Sequence, residues 1–329
     1  MIYTETKEYR LNGENQELPG FDQKYSNIVD YILKITEEIW EQRAIWVIYD
    51  TYAKDLVVHA GGLDIQGVEE VVKSTLLTLS SFPDRKMLGE AVIWSEECGD
   101  AFYSSHRILS HATNTGKTAY GTATGRKVEF RTIADCVIKS NEIIEEWLVR
   151  DNLHLIEQLG FDPFEEAKKD NRYEDTNPLE IAPSKLGDLD PESPAHLIQQ
   201  LFQRVYSDRM ISDIGEFYHA AAVVHGIRNK NYHVSDFERH LCDILSCFTK
   251  EKVILERITV NKKNGGHELA ARWVLKAQHE KDGFFGTPSD KQIILRGINH
   301  YIVKDSRIIE EWMLFDGYDV LCQINNERS

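Results

Sequence analysis

Long hydrophobic runs are missing from this sequence of 329 residues. The longest apolar stretches, near 76–79 and 220–224, are far shorter than the roughly 20 residues that a membrane-spanning helix needs. The first ten residues, MIYTETKEYR, contain no apolar segment of the kind found in signal peptides. These absences predict a chain that does not enter a membrane.

Cysteines are also few, and basic residues are fewer than acidic ones. The five cysteines are an odd number and form no CxxC motif, which favours a reducing, cytoplasmic location over a disulfide framework. Acidic residues outnumber basic ones by 54 to 38, and a net charge of −16 disfavours binding to nucleic acid or anionic lipid. No glycine-rich phosphate loop and no cluster of ligand residues at metal spacing is present, so we expect no cofactor and no metal.

The composition is that of a globular protein, with 42% hydrophobic and 28% charged residues, and the length suggests two domains. The two halves repeat each other at an offset of 165 or 166 residues. The matching segments are Val57-Val58-His59 with Val223-Val224-His225, Tyr120-Gly121-Thr122 with Phe285-Gly286-Thr287, and Ile143–Trp147 with Ile308–Trp312. We therefore predict domains at 25–160 and 191–325, an N-terminal arm at 1–24 and a charged linker at 161–190.

Each half contains the same order of predicted elements. In the first half, apolar residues at helical spacing predict helices over 27–40, 44–53 and 67–79. Strand patterns follow over 56–59, 86–95, 101–112, 127–140 and 143–150. Helices followed by an antiparallel sheet indicate an α+β fold, in which a bent sheet wraps a helix and leaves a cone with an open mouth.

This order and the end of each repeat resemble the SnoaL-like polyketide cyclases of the nuclear transport factor 2-like (NTF2-like, cystatin-like) superfamily. The resembling residues are Gly121-Thr122, Ile143–Trp147, Asp151 and Gln158-Leu159-Gly160, and in the second half Gly286-Thr287-Pro288, Ile308–Trp312, Asp316 and Gln323-Ile324. The resemblance implies two tandem cone-shaped domains that bind small molecules. Because single-domain relatives commonly pair, it also implies an intramolecular pseudo-dimer, which can pair again as a homodimer.

Two of the activities known for the fold do not fit the residues of this sequence. Aldol-type cyclases of the family use an aspartate on the last strand, where an ungapped alignment gives Leu148 and Met313. The epoxide hydrolases of this fold need an Arg-x-Asp motif, where this chain has Arg131-Thr132-Ile133 and Arg296-Gly297-Ile298. Neither mechanism is therefore expected here.

Strand alternation divides the side chains of each strand between two faces, and the resemblance implies which of the two faces lines each cone. In the first copy, the inner set is Thr132, Ala134, Cys136, Glu146, Leu148 and Arg150; in the second it is Gly297, Asn299, Tyr301, Glu311, Met313 and Phe315. Asp135 and His300 fall on the outer face. A register slip of one residue would reverse this assignment.

Histidine beside glutamate suits proton transfer at neutral pH. The predicted pairs are His59 with Glu146 and His225 with Glu311, and His106 is a further catalytic candidate because the second copy has Ala271 there. The structural alternative is that the histidines cap strands and the glutamates form salt bridges. Predicted substrate contacts are Tyr52, Arg150, Thr132, His225, Asn299, Tyr301 and Glu311.

Two functions remain open. The first is a cofactor-independent lyase or isomerase that moves a proton next to a carbonyl in a small, partly apolar metabolite. The second is a non-catalytic binding or assembly module, which the missing aspartates favour. An interaction scaffold is a third possibility.

Overall fold

The computed structural model describes residues 15–173, 186, 189–263 and 265–325. The chain forms two compact units, each described here by itself. The first unit ends at Arg150 and also takes in Leu155–Asp162, and the second combines Asp151–His154 with the chain from Pro163 onward. Residues 1–14 of the predicted arm and 174–185, 187 and 188 of the predicted linker lie outside the described residues.

The first unit contains helices followed by a six-stranded sheet. Its elements are α1 (Ile28–Trp40), α2 (Trp46–Thr51), β1 (Tyr52–Ala60), β2 (Leu63–Gln66), α3 (Val68–Ser81), β3 (Lys86–Glu97), β4 (Ala101–Thr113), β5 (Lys127–Lys139) and β6 (Glu142–Arg150), and β6 leads into α4 (Asn152–Leu159). The sheet order is β2-β1-β6-β5-β4-β3, in which only the β1–β6 pair is parallel.

The second unit repeats this plan. Its elements are α5 (Pro163–Ala167), α6 (Pro194–Leu201), a π-helix (Phe202–Ser207), a 3-10 turn (Ile211–Asp213), α7 (Ile214–Phe217), β7 (Tyr218–His225), a 3-10 turn (Ile227–Asn229), β8 (Asn231–His233), α8 (Val234–Leu245), β9 (Phe248–Lys263), β10 (Gly266–His279), β11 (Gln292–Lys304), β12 (Arg307–Phe315) and α9 (Gly317–Asn325). The order β8-β7-β12-β11-β10-β9 is equivalent to that of the first sheet, so the predicted α+β fold with two copies is confirmed.

The helix α1 packs against the sheet because its apolar residues recur every three or four positions. Ile28, Ile32, Ile35 and Ile39 are all buried, and the Asn27 side chain caps the helix by accepting from the Asp30 amide at 2.8 Å. The Phe21 ring continues this core, with its centroid 5.1 Å from that of Tyr31. One face of the first sheet is thereby covered by helix.

The start of β1 and the presence of β2 differ from the sequence prediction. Strand β1 starts at Tyr52, not at residue 56, because Tyr52 pairs with Ile143 ahead of an irregular step in register. The polar residues Lys54 and Asp55 in that step conceal the strand pattern. The short strand β2, which pairs with β1, was not predicted.

Candidate functional site

A cavity of about 230 Å³ lies inside the first unit, between helices α1 and α3 and the inner face of the sheet. A water molecule occupies about 30 Å³ in the liquid, so the cavity has room for a small organic molecule. Its wall includes all six residues of the predicted inner set: Thr132, Ala134, Cys136, Glu146, Leu148 and Arg150. The predicted strand register is therefore confirmed for the first copy.

Glu146 on β6 is the acidic group of this cavity. Its side chain is buried, and burial raises the pKa of the carboxyl to about 7, against a smaller opposing effect of the Arg150 charge. Among the described residues, none donates a hydrogen bond to this carboxyl. Glu146 can therefore both take up and release a proton near neutral pH.

His106 on β4 shares the cavity. The residue is 3% exposed, and its Nε2 atom has no hydrogen-bond partner in the described part of the chain. Burial, with a further contribution from the Arg107 charge, lowers the pKa of the imidazole to about 3. His106 is therefore neutral at pH 7 and able to donate one N–H to a ligand.

The strand register fixes how far apart His106 and Glu146 lie on the inner face of the sheet. His106 is opposite Ala134, which is opposite Leu148, and Glu146 lies two residues from Leu148 on the same strand. Strand spacing and rise place the two Cα atoms roughly 12 Å apart. Both side chains point inward, so a small molecule fits between them. The structure thus brings together Glu146 and His106, two of the predicted catalytic residues.

Three predicted substrate contacts also line the cavity. Tyr52 lies near Glu146, and the pKa of its phenol is raised well above its usual value by burial and by that carboxyl. Thr132 is buried, and its hydroxyl oxygen lacks a partner among the described residues. Arg150 forms part of the opposite end of the wall, near Phe130.

Arg85, directly before β3, is a cavity residue that was not predicted from the sequence. It belongs to no motif and follows a turn, where side-chain direction cannot be read from alternation. One signal was available, since the matching position of the second copy carries Glu251, a charge of opposite sign.

His59 does not contact Glu146, so the predicted pair is wrong. Its Nε2 lies 3.0 Å from Glu145 Oε1, its Nδ1 lies 2.6 Å from Asp64 Oδ1, and its ring stacks on Trp147 with centroids 4.9 Å apart. The reason is alternation along β1: Val58 faces the cavity beside Glu146, so His59 faces the other way.

The predicted pair of His225 with Glu311 in the second copy is wrong for the same reason. His225 Nε2 lies 2.8 Å from Glu310, not Glu311, and its Nδ1 lies 2.7 Å from Asn231 Oδ1. The imidazole stacks on Trp312 with centroids 4.9 Å apart. The same arrangement therefore occurs in both copies, which favours a structural contact shared by the two sheets.

The remaining predicted residues of the second unit lie inside it and bind one another. Asn299 donates to Glu311 at 2.7 Å and to Tyr301 at 3.0 Å, and Tyr218 donates to the other Glu311 oxygen. Glu311 is fully buried, and burial raises the pKa of its carboxyl to about 7 despite these hydrogen bonds. The carboxyl is therefore held by the protein itself.

Bulky side chains occupy the positions that border the cavity in the first unit. Trp273, Tyr301, Met313 and Phe315 replace Ile108, Cys136, Leu148 and Arg150, and all four are buried. Gly297, which replaces Thr132, makes room for the Trp273 ring, since a Cβ atom there would lie 2.1 Å from it. The second interior is packed with the protein's own side chains.

On the outer faces of the two sheets, buried and half-buried arginines are paired with acids. Arg107 and Arg131 both donate to Glu90, at 3.1 and 2.7 Å, and Arg272 donates to Glu256 at 2.9 Å in the second copy. Asp135, predicted on the outer face of the first sheet, is fully buried and accepts from the Tyr103 hydroxyl; His300, predicted on the outer face of the second sheet, is also fully buried.

None of the helices in the described ranges is long and apolar enough to span a bilayer. No group of three or more His, Cys, Asp or Glu side chains there is arranged to hold a metal ion.

The family model for the SnoaL-like polyketide cyclases matches residues 31–159 and 196–324, more than half of the sequence. No curated protein matches this sequence. Among solved structures, AclR from Streptomyces galilaeus is 20% identical and covers 40% of this chain and 92% of its own, with a TM-score of 0.35. IdmH from Streptomyces antibioticus is 17% identical and covers 40% of this chain and 99% of its own, with a TM-score of 0.35. TsrD from Streptomyces laurentii is 15% identical and covers 43% of this chain and 98% of its own, with a TM-score of 0.35.

Proposed function

This chain belongs to the SnoaL-like polyketide cyclase family, and we propose that its first unit catalyses proton transfer at a carbon next to a carbonyl. The substrate is a small, partly apolar metabolite, and the reaction is of the lyase or isomerase type without a cofactor. The observation that supports this most is Glu146, a buried carboxyl with a pKa of about 7 that lines a cavity and has no protein donor among the described residues.

In the proposed reaction, the Glu146 carboxylate removes a proton from the carbon, and the electron pair of that C–H bond moves toward the carbonyl oxygen. Neutral His106 donates a hydrogen bond to the resulting enolate oxygen and lowers its energy. Protonated Glu146 then returns the proton to a different carbon, which gives an isomer, or to a departing hydroxyl, which releases water. Proton and charge balance without a further reactant.

The second unit is proposed to support the fold and not to react. Its glutamate already accepts hydrogen bonds from Asn299 and Tyr218, and large side chains fill the space where a ligand would lie. A reducing cytoplasmic location fits the five free cysteines of the chain.

A non-catalytic binding module is the second candidate. It is favoured by Leu148, which occupies the place of the family aspartate and cannot transfer a proton. The two candidates differ in one respect: both require a ligand in the first cavity, but only the enzyme exchanges protons with it.

The test is a thermal-shift screen of small β-keto, hydroxy-acid and enone compounds, followed by deuterium exchange of each hit in heavy water. A ligand at a hundred times its dissociation constant stabilises the protein by about 2.7 kcal/mol. We expect Glu146→Gln to slow exchange by about 10²–10⁴-fold, the usual contribution of a general base. The matched variant Glu311→Gln should leave the exchange rate unchanged. Binding without exchange in the wild-type protein would favour the binding module.

A further inference from the structure

Arg85 is a buried cation with an incomplete set of partners. The residue is 3% exposed, and its Nε and Nη2 atoms both donate to one neutral oxygen, Ser110 Oγ, at 3.2 and 2.9 Å. Its Nη1 atom has no hydrogen-bond partner within the described part of the chain. A guanidinium carries five N–H donors, so this arrangement leaves part of its capacity unused.

Aromatic rings hold the guanidinium at one end of the cavity. Its carbon lies 4.6 Å from the ring centroid of Trp40 and 5.2 Å from that of Phe130. The guanidinium of Arg150 lies 5.8 Å from the same Phe130 ring. We call Arg85 and Arg150 the cationic end of the cavity. Ring faces attract a cation, but they cannot neutralise its charge.

A second positive charge nearby makes this burial more costly. Burial and the Arg150 charge both lower the pKa of Arg85 well below its usual value, although an arginine remains protonated in practice. Buried Arg107 and Arg272 and half-buried Arg131 all hydrogen-bond to glutamates on the outer sheet faces. Arg85, in contrast, has a hydroxyl as its hydrogen-bond acceptor.

The second copy does not repeat the cationic end, and bulky buried side chains line its interior. Glu251 stands in place of Arg85 and pairs with Arg209 at 2.8 Å, and Phe315 stands in place of Arg150. The two cations therefore occur in the copy that leaves space for a ligand, which is what an anion-binding role requires.

We infer that Arg85 binds an anionic group of the ligand and that the substrate class is a keto carboxylate. This inference rests on the proposed function and adds the chemical class of its substrate. The carboxylate accepts from Arg85 at the cationic end, and the ketone lies between His106 and Glu146. Because Glu146 and Arg150 are four residues apart on β6, their Cα atoms are separated by roughly 13 Å. The carboxylate and the reacting carbon are therefore separated within the substrate by several bonds.

The probes are 5-oxo-5-phenylpentanoate, which has an ionised carboxylate at neutral pH, and its uncharged methyl ester. We expect the wild-type protein to bind the acid about tenfold to a hundredfold more tightly than the ester, the usual gain from hydrogen bonds to a charged group. In Arg85→Met the acid should lose that gain, while the affinity for the ester stays within about threefold. Arg85→Lys should retain part of it, because it keeps the charge but not the fork of donors.

The ratio of acid to ester affinity is the decisive quantity, measured by calorimetry. A merely structural role of Arg85 would weaken both ligands equally, which would overturn the inference, as would equal affinity or no binding of both in the wild-type protein. Arg209→Met, which removes an arginine from the second unit, is the control and should leave both affinities unchanged.

Deuterium exchange next to the ketone separates the two proposals. If the acid binds through Arg85 but exchanges no proton in the wild-type protein, the proton-transfer function fails and the anion site stands. If acid and ester exchange at equal rates that Arg85→Met does not alter, the anion site fails and the function stands.

Discussion

Each unit has a glutamate at the equivalent position of its own sheet, but the two glutamates have different surroundings. Glu146 lines a cavity and receives no hydrogen bond from the described residues, whereas Glu311 accepts from Asn299 and Tyr218. Burial raises the pKa of both carboxyls to about 7. The shifted pKa is therefore common to both copies, and it does not by itself identify a reactive site. The hydrogen-bond partners distinguish the two glutamates, because a buried carboxyl without a donor is stabilised most by a ligand that supplies one.

The largest expected effect tests whether the second interior is filled. Met313→Ala should lower the free energy of unfolding by about 2–5 kcal/mol, since a buried side chain leaves a void when it is truncated. Leu148→Ala, at the matching position, should cost only about 1 kcal/mol because Leu148 already borders a cavity. Urea denaturation measures both. Equal costs would show that the two interiors are packed alike.

The second prediction concerns His106, which has Ala271 as its counterpart. His106→Ala makes the first copy like the second at this position and should slow deuterium exchange by about 10²–10³-fold, or roughly 3–4 kcal/mol, the usual effect of removing one donor to an enolate-like oxygen. His111→Ala, on the same strand and half exposed, is the control. An unchanged rate in His106→Ala would remove His106 from the mechanism.

The third prediction is a dependence of stability on pH. Because the pKa of Glu146 is raised from 4.5 to about 7 on folding, its favourable contribution is complete below pH 4.5 and is lost as the pH rises through about 7. The loss amounts to about 3 kcal/mol, and Glu311 should behave alike.

Glu146→Gln and Glu311→Gln should each flatten the decline in unfolding free energy between pH 5 and pH 8 by about 2–3 kcal/mol, most of that amount. Denaturation curves at the two pH values give this difference. A decline as steep in a variant as in the wild-type protein would mean that its glutamate is ionised throughout this range.

The smallest effect is expected where the two copies agree. His59→Ala and His225→Ala should each lower the free energy of unfolding by about 1–2 kcal/mol, because each imidazole makes two hydrogen bonds in a partly exposed position. Neither should alter deuterium exchange. A loss of exchange in His59→Ala alone would contradict the placement of the reaction at Glu146 and His106.

The sequence by itself determined the duplication, the α+β order of elements and the division of strand residues between two faces. These follow from local patterns: the repeated segment Ile143–Trp147, helical spacing of apolar residues, and alternation along β5 and β6. Glu146 was placed in the cavity because the family resemblance puts Leu148 inside the cone and alternation along β6 puts Glu146 on the same face as Leu148. His106 was a candidate because the second copy has an alanine there.

Only the tertiary structure decided which histidine accompanies Glu146. The partner of His59 depends on the parallel register of β1 against β6, two strands about 90 residues apart, and that register places His59 beside Trp147 and Glu145. The tertiary structure also decided that Arg85 reaches the cavity and that Trp273 fills the space above Gly297. Contacts of this kind depend on side-chain volume and direction between distant segments, which local patterns do not encode.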